Sequence, residues 1–247
     1  MNITHKTVLI TGGGSGIGFQ IAKLLSEKNN EIIITGRTEA KLKDAVSKLN
    51  NVSYFTADVT KEDDVNKLVA YLTEKHPNLD VIINNAGQAS VYNLANAPAF
   101  DNSTTEFATN YFAAVNLIDK LLPSLKAQKE AAIVNVTSVL AIAPSYDLPT
   151  YSASKSALRA YTQALRFSLA DKNPNVKVFE LMPPLVDTEF SAEIGGSNGI
   201  PPAQVAEEFV HGVENDHYEV RVGFTAQFWD AYLKSPEEAF LMLNSRR

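Results

Sequence analysis

The chain has 247 residues, 45% of them hydrophobic, a formal net charge of -6 and no cysteine. That is enough apolar residue for a large core, in one domain or two. The missing cysteine excludes disulfides, thiolate zinc sites, iron–sulfur clusters and a cysteine nucleophile, and the acidic balance argues against a general attraction for nucleic acid or anionic lipid.

Residues Met1 to Lys6 are polar and lead straight into an apolar run. No stretch is long and apolar enough to span a bilayer, so a cytoplasmic protein without stable membrane insertion is expected. Thr7 to Ile10 reads as a strand, followed by a helical pattern from Gly16 to Glu27. Glu31 to Thr35 reads as a second strand with a helix over Glu39 to Leu49 behind it. Val52 to Phe55 precedes a helix over Lys61 to Lys75, for which Thr60 is the expected N-cap. Val81 to Ile83 precedes Ser103 to Lys126, and Ala132 to Val136 precedes Tyr151 to Leu169. Val176 to Phe179 leads to a loop and a shorter helix, Ala203 to Val213. Tyr218 to Val222 alternates apolar and charged residues, which predicts a strand at a sheet edge.

The earlier strand runs are almost wholly apolar, as strands covered on both faces must be. The pattern predicts an α/β chain, 1–247, folded as a single-domain Rossmann-type doubly wound sheet of about seven mostly parallel strands flanked by helices. A loop over about 184–202 contains Gly195-Gly196-Ser197-Asn198-Gly199 and reads equally as a surface connection or as a mobile lid beside a substrate. The aromatic-rich segment 224–247 reads as helices packed on their own subunit, or as a partner surface.

Thr11-Gly12-Gly13-Gly14-Ser15-Gly16-Ile17-Gly18 lies between the first strand and the first helix. A dinucleotide pyrophosphate needs this arrangement: glycines admit the tight turn and the close approach of main chain, and the helix start offers free N–H groups. Gly12, Ser15, Gly16, Ile17 and Gly18 are therefore candidate cofactor contacts. Where an NAD-binding chain usually has an acidic residue after the second strand, this one has Thr35-Gly36-Arg37. Arg37 can make a forked, charge-assisted contact to a 2′-phosphate, which favours NADP(H) over NAD(H) unless Glu39 faces the ribose instead. Tyr151 and Lys155 stand at i and i+4, on one helix face. A neighbouring ammonium is expected to lower the pKa of a phenol and make it useful near neutrality.

With these motifs in this order, the chain resembles the short-chain dehydrogenase/reductase family. The resemblance also takes in Asp58-Val59 after the third strand, Asn84-Asn85-Ala86-Gly87 after the fourth, Asn110, Ser138, and Pro183-Pro184-Leu185-Val186-Asp187-Thr188 after the sixth. Thr11 to Phe19 with Thr35 to Arg37 is similar to the oxidoreductase branch named for D-alanine esterification of teichoic acids, whose name carries no cell-wall role over. The family implies an oxidoreductase moving a hydride between NADP(H) and a carbonyl or secondary alcohol. In it Tyr151 would exchange the proton, Ser138 would orient the substrate oxygen, Lys155 would bind ribose and Asn110 would hold a water. Asp58, Val59, Asn84, Ala86, Gly87, Pro183, Val186 and Thr188 would contact the cofactor, with Asn85 structural. Pro184 stands where the family has glycine.

The family further implies a homodimer or homotetramer and a substrate pocket containing Val139, Leu140, Tyr146, Leu185 and Phe190, with Val91, Tyr92, Ile142 and Leu148 nearby. That wall reads as apolar with few charges. His5, His76, His211 and His217 are scattered, which predicts no metal site. Three competing readings stay open: a non-catalytic NADP-binding sensor or scaffold, an NAD-dependent alcohol dehydrogenase, and an epimerase or dehydratase of the extended group.

Overall fold

A computed structural model of the protein describes residues 1–245, so positions 246 and 247 of the C-terminal segment lie outside the described residues. Seven strands form one sheet: β1 (Thr7–Thr11), β2 (Glu31–Gly36), β3 (Val52–Thr56), β4 (Leu79–Asn84), β5 (Ala131–Val136), β6 (Val176–Met182) and β7 (Glu219–Arg221). Their order is β3-β2-β1-β4-β5-β6-β7, and every neighbouring pair is parallel. Strand order reverses at β1 and β4, and the crevice that a doubly wound sheet offers to ligands opens there.

The apolar strands earn their burial on two sides. Ile10, Ile34, Ile83, Val134 and Leu181 face one layer, packed with α1 (Gly16–Ser26), α2 (Glu39–Val46) and α7 (Pro202–Glu214). Leu9, Ile33, Ile82, Ile133 and Val178 face the other, with α3 (Glu62–Lys75), α5 (Ala113–Lys126) and α6 (Pro149–Lys172). The partly exposed strands are β3 and β7, the two edges.

Three local expectations need correction. Thr60 is not the N-cap of α3: Lys61 holds that place, and the Thr60 hydroxyl donates to Asp58 Oδ1 at 2.7 Å. The helix expected over Ser103 to Lys126 starts earlier, as α4 (Phe100–Phe107), and passes through a π-helical turn, Ala108–Phe112, before α5. The C-terminal segment forms two helices, α8 (Phe224–Lys234) and α9 (Pro236–Asn244), broken at Ser235-Pro236 because proline cannot supply the N–H that a continuous helix would use. Phe228, Phe224, Trp229, Tyr232 and Leu243 of these helices pack against Val139, Ile142 and Met182 of the same chain.

Candidate active site

The turn after β1 is built as phosphate chemistry requires. Gly12 has φ +65°, and a Cβ there would stand 3.0 Å from Asn85 Nδ2 and 3.1 Å from Ala86 Cα. Gly18 admits no side chain either, since a Cβ would fall 2.4 Å from the Gly12 carbonyl oxygen. Helix and strand can therefore close on each other. Ser15 opens α1 without a side-chain cap, and no acidic residue occupies the first turn. The leading N–H groups of α1 are thus left for an anion. Asn85 locks the turn to β4, donating from Nδ2 to the carbonyl oxygens of Thr11 (2.9 Å) and Gly12 (3.1 Å).

A cleft of about 890 Å³ begins at this turn. Gly12, Ser15, Gly16 and Ile17 line one end; Ala86, Gly87, Ser138, Tyr151 and Lys155 line the middle; Pro183, Val186 and Thr188 close over it. The Thr188 methyl lies 3.3 Å from where a Cβ on Gly16 would stand, so the 184–202 loop sits directly across from the glycine turn. That loop is a folded flap. Val186 bridges Ile200, Thr188 and Ser191 form a capping box on a short 3-10 turn, and the Phe190 ring stands 6.1 Å from the Tyr151 ring.

Ser138, Tyr151 and Lys155 are brought together by β5 and α6. Ser138 follows β5 and accepts from the Leu140 N–H on its Oγ at 3.1 Å. Tyr151 lies in the first turn of α6, and Lys155 Nζ stands 5.7 Å from its ring centroid. The lysine donates to the Val136 carbonyl oxygen at 2.8 Å. Asn110, in the π-helical turn, donates to the Gln88 carbonyl oxygen and to Ser154 Oγ, and accepts from the Gln88 N–H. Its Oδ1 and Lys155 Nζ lie 3.5 and 3.8 Å from the point a Gly87 Cβ would occupy.

The expected depression of the Tyr151 pKa is not found. Burial pushes the phenol up to about 12, the nearby Glu106 charge adds to this, and a hydrogen bond with Ser138 opposes both. Burial also pushes the Lys155 ammonium down, to about 8. A dry pocket penalises the charged form of both groups, and this outweighs the attraction the i, i+4 spacing suggested.

Other expected positions fall into place unevenly. Arg37 is exposed beside the carboxyl of Asp58. Burial raises that carboxyl, but hydrogen bonds from Thr60 and the charges of Arg37 and Lys61 outweigh it and hold it below the usual range. Glu39 is committed to Lys43 at 3.0 Å and to the Tyr54 hydroxyl at 3.2 Å. Asn84 is corrected: its side chain does not line the cleft but donates to Asn135 Oδ1 at 2.8 Å inside the sheet. Val59, Asn84 and Asn110 instead line a separate small cavity.

Of the expected pocket, Val139, Leu140, Leu185, Phe190, Val91 and Leu148 line the cleft. Tyr146 does not; its N–H donates to Asn244 Oδ1 at 2.9 Å and it is carried to the surface. Tyr92 turns away to Thr150, 2.7 Å between hydroxyls, and Ile142 joins the core under α8. A few charged residues, Asp147, Glu189 and Glu193, also line it. Phe224, Met242 and Leu243 add a wall that sequence reasoning missed. Helical spacing marked Phe224 and Leu243, though not Met242, but could not say which surface they meet.

A family model described as short chain dehydrogenase matches residues 6–198. The chain belongs to the short-chain dehydrogenase family. It is an oxidoreductase of that family, and its full length aligns with a relative described as the uncharacterized oxidoreductase DltE of Bacillus subtilis (strain 168). The two are 34% identical over 252 residues, covering 100% of this chain and 99% of the relative. An uncharacterized oxidoreductase of Staphylococcus aureus (strain MW2) is 28% identical over 215 residues, 85% of this chain and 92% of its own. Among solved structures, a short chain dehydrogenase from Burkholderia cenocepacia J2315 in complex with NADP superposes with TM-score 0.86 at 25% identity, over 100% of both chains. A short chain dehydrogenase/reductase from Burkholderia phymatum in complex with NAD gives TM-score 0.89 at 19% identity, over 100% of this chain and 98% of that one, and speaks for the fold alone. Short-chain dehydrogenases of this fold thus bind nicotinamide dinucleotides, and the glycine turn with the uncapped start of α1 suits such a group here.

Proposed function

We propose that the protein transfers a hydride between NADP(H) and a carbonyl or secondary-alcohol substrate, with Tyr151 as the general acid and base. The observation that carries this reading is the meeting of Ser138, Tyr151 and Lys155 in the same cleft that begins at the uncapped helix start. When bound, the cofactor supplies or accepts the hydride. Gly12, Ser15, Gly16 and Ile17 would hold its pyrophosphate, Asp58 would border the adenine, and Ala86, Gly87, Pro183, Val186 and Thr188 would seat the remainder. Ser138 orients the substrate oxygen, and the Tyr151 hydroxyl passes a proton to it during reduction. Lys155, whose ammonium gives up its proton easily in this dry site, restores the Tyr151 proton, with Asn110 beside it on the route to solvent.

Arg37 supports NADP(H) because Glu39, its nearest acidic rival in sequence, is already paired with Lys43. Titration by cofactor fluorescence should show NADPH binding more tightly than NADH, and Arg37→Asp should narrow the gap by about 10- to 100-fold, the scale of a lost charge-assisted pair. Equal affinities in the parent protein would remove the 2′-phosphate contact. The reaction itself is tested with a panel of ketones, aldehydes and secondary alcohols, read by absorbance of the reduced nicotinamide. Binding of cofactor with no turnover across the panel would favour the sensor reading.

The reading extends to a homodimer or homotetramer. Phe112 of the π-helical turn is 59% exposed and Phe167 of α6 is 83% exposed, an unusual placement for phenylalanine on a monomer. Sedimentation should give a dimer or tetramer, and Phe167→Glu should lower its mass; a parent monomer at micromolar concentration defeats the extension.

A further inference from the structure

Asn244, the last residue of α9, reaches a part of the chain about 100 residues earlier. Its Oδ1 accepts from the Tyr146 N–H at 2.9 Å, and its Nδ2 donates to the Pro144 carbonyl oxygen at 3.0 Å and to the Phe240 carbonyl oxygen at 2.8 Å. Only a side chain with both an acceptor and a donor can do this, since a backbone N–H cannot accept and a carbonyl cannot donate. Helix α9 is thereby fastened to the 144–147 loop, which runs into α6 and Tyr151. The loop is held from its other side as well, where the Tyr92 N–H donates to the Asp147 carbonyl oxygen at 3.0 Å. Both fastened segments line the cleft, Ser145 and Asp147 from the loop, Met242 and Leu243 from α9. The apolar part of this rim is open: Met242 is 52% exposed, Phe190 50% and Val91 43%, and all three line the cleft. Apolar groups gathered at the mouth of a cleft, rather than scattered singly, mark a surface that a ligand covers.

We propose that Asn244 is a positioning residue that sets substrate specificity: by fastening α9 to the 144–147 loop it builds the far wall of the substrate end, and that wall takes a carbonyl or alcohol substrate with an extended apolar body. The proposal rests on the cleft holding such a substrate beside Tyr151, and it deepens that reading by naming the part of the substrate that is recognised. Ser138 and Tyr151 place the reacting oxygen, but they treat a short ketone and a long one alike. The two are told apart by apolar surface taken from water, which grows with each methylene that reaches Met242 and Leu243. Helix α9 cannot hold that wall by packing alone. It has nine residues, lies on α8 and buries one residue, Ala239. An element with so few buried contacts opens easily, and the Asn244 amide supplies its tie to the Tyr151 side of the cleft.

Two variants test the wall. Asn244→Ala removes the tie, and Met242→Ser removes apolar surface at a residue already exposed, where substitution disturbs folding least. The first readout is independent of turnover: the neutral apolar fluorophore N-phenyl-1-naphthylamine is bound to the protein with NADP⁺ present and displaced by a series of methyl ketones of rising chain length. Ketone affinity in the parent should rise with length. Both variants should weaken the fluorophore and the longest ketones by about 10-fold, the scale of about two methylenes returned to water, with the loss shrinking as the chain shortens. With a substrate from the panel, the loss should fall in KM rather than in kcat. A parent that binds no fluorophore overturns the proposal, as does a loss independent of chain length or a loss confined to one variant. An Asn244→Ala protein that fails to fold, or that loses affinity for NADPH, reduces Asn244 to a structural anchor and overturns it equally. If both variants weaken the long ketones but the panel shows no turnover, the wall stands and the assigned chemistry falls.

Discussion

Replacing Tyr151 with phenylalanine is expected to lower kcat by about 10²- to 10⁴-fold, the range over which a positioned acid–base group acts. Cofactor affinity should stay within a few-fold of the parent. The argument is geometric. The ring is held by α6 and by Phe190 across the cleft, contacts that phenylalanine retains, so the variant loses the hydroxyl and little else. Only the proton path through the hydroxyl is removed. Single-turnover measurements with bound cofactor isolate this step from product release. Retention of a tenth or more of parent activity would mean that another group exchanges the proton.

Lys155→Met is expected to do two opposite things: abolish turnover to a similar degree and make the protein more stable at neutral pH. Burial carries the Lys155 pKa from 10.5 in a free side chain to about 8, so below pH 8 the fold holds an ammonium that it disfavours. A difference of that size is worth roughly 3 kcal/mol. The hydrogen bond from Nζ to the Val136 carbonyl oxygen is lost in the variant, which returns about 1 kcal/mol, leaving a net gain of roughly 2 kcal/mol at pH 7. The sign follows from proton counting. Between pH 8 and 10.5 the unfolded parent chain binds more protons at this site than the folded one, so parent stability rises with pH across that window. The advantage of the methionine variant should therefore be largest below pH 8 and fade as pH approaches 10.5. Denaturant melts of both proteins across this range check it; a variant less stable than the parent at pH 7 would show that the ammonium is better solvated than its burial suggests. A site residue that costs stability is what function often demands of a fold.

The glycine turn was readable because its reason is local. Gly12 and Gly18 are required by main-chain angles and by contacts within a few residues or with the adjacent strand, and such constraints leave a mark in spacing alone. Tyr151 and Lys155 were readable from their i, i+4 spacing, and Ser138 from the resemblance to the family; residues that follow β5 and open α6 come to one edge once the strands are parallel and the crossover helix packs back. Asn84 and Asn85 show where this stops. They are neighbours with the same side chain, and alternation along β4 sends the first into the sheet toward Asn135, while the second leaves the strand end to tie the glycine turn.

What the linear order of residues determined by itself was the mostly parallel, doubly wound sheet, its edge at the last strand, the phosphate turn and the shared face of Tyr151 and Lys155, because each follows from periodicity or from a short-range steric demand; Ser138 came from the resemblance to the family. What only the tertiary structure decided was the environment of those groups. Whether the Tyr151 phenol is raised or lowered depends on how much water the packed pocket leaves, and burial won over a favourable spacing. Glu106 reads in sequence as one more polar residue on an amphipathic helix, and becomes a buried carboxyl only when the 88–92 loop folds over it. The last wall of the cleft comes from Phe224, Met242 and Leu243, more than 70 residues after Tyr151 in the chain, and packing across such distances leaves no signature that spacing can carry.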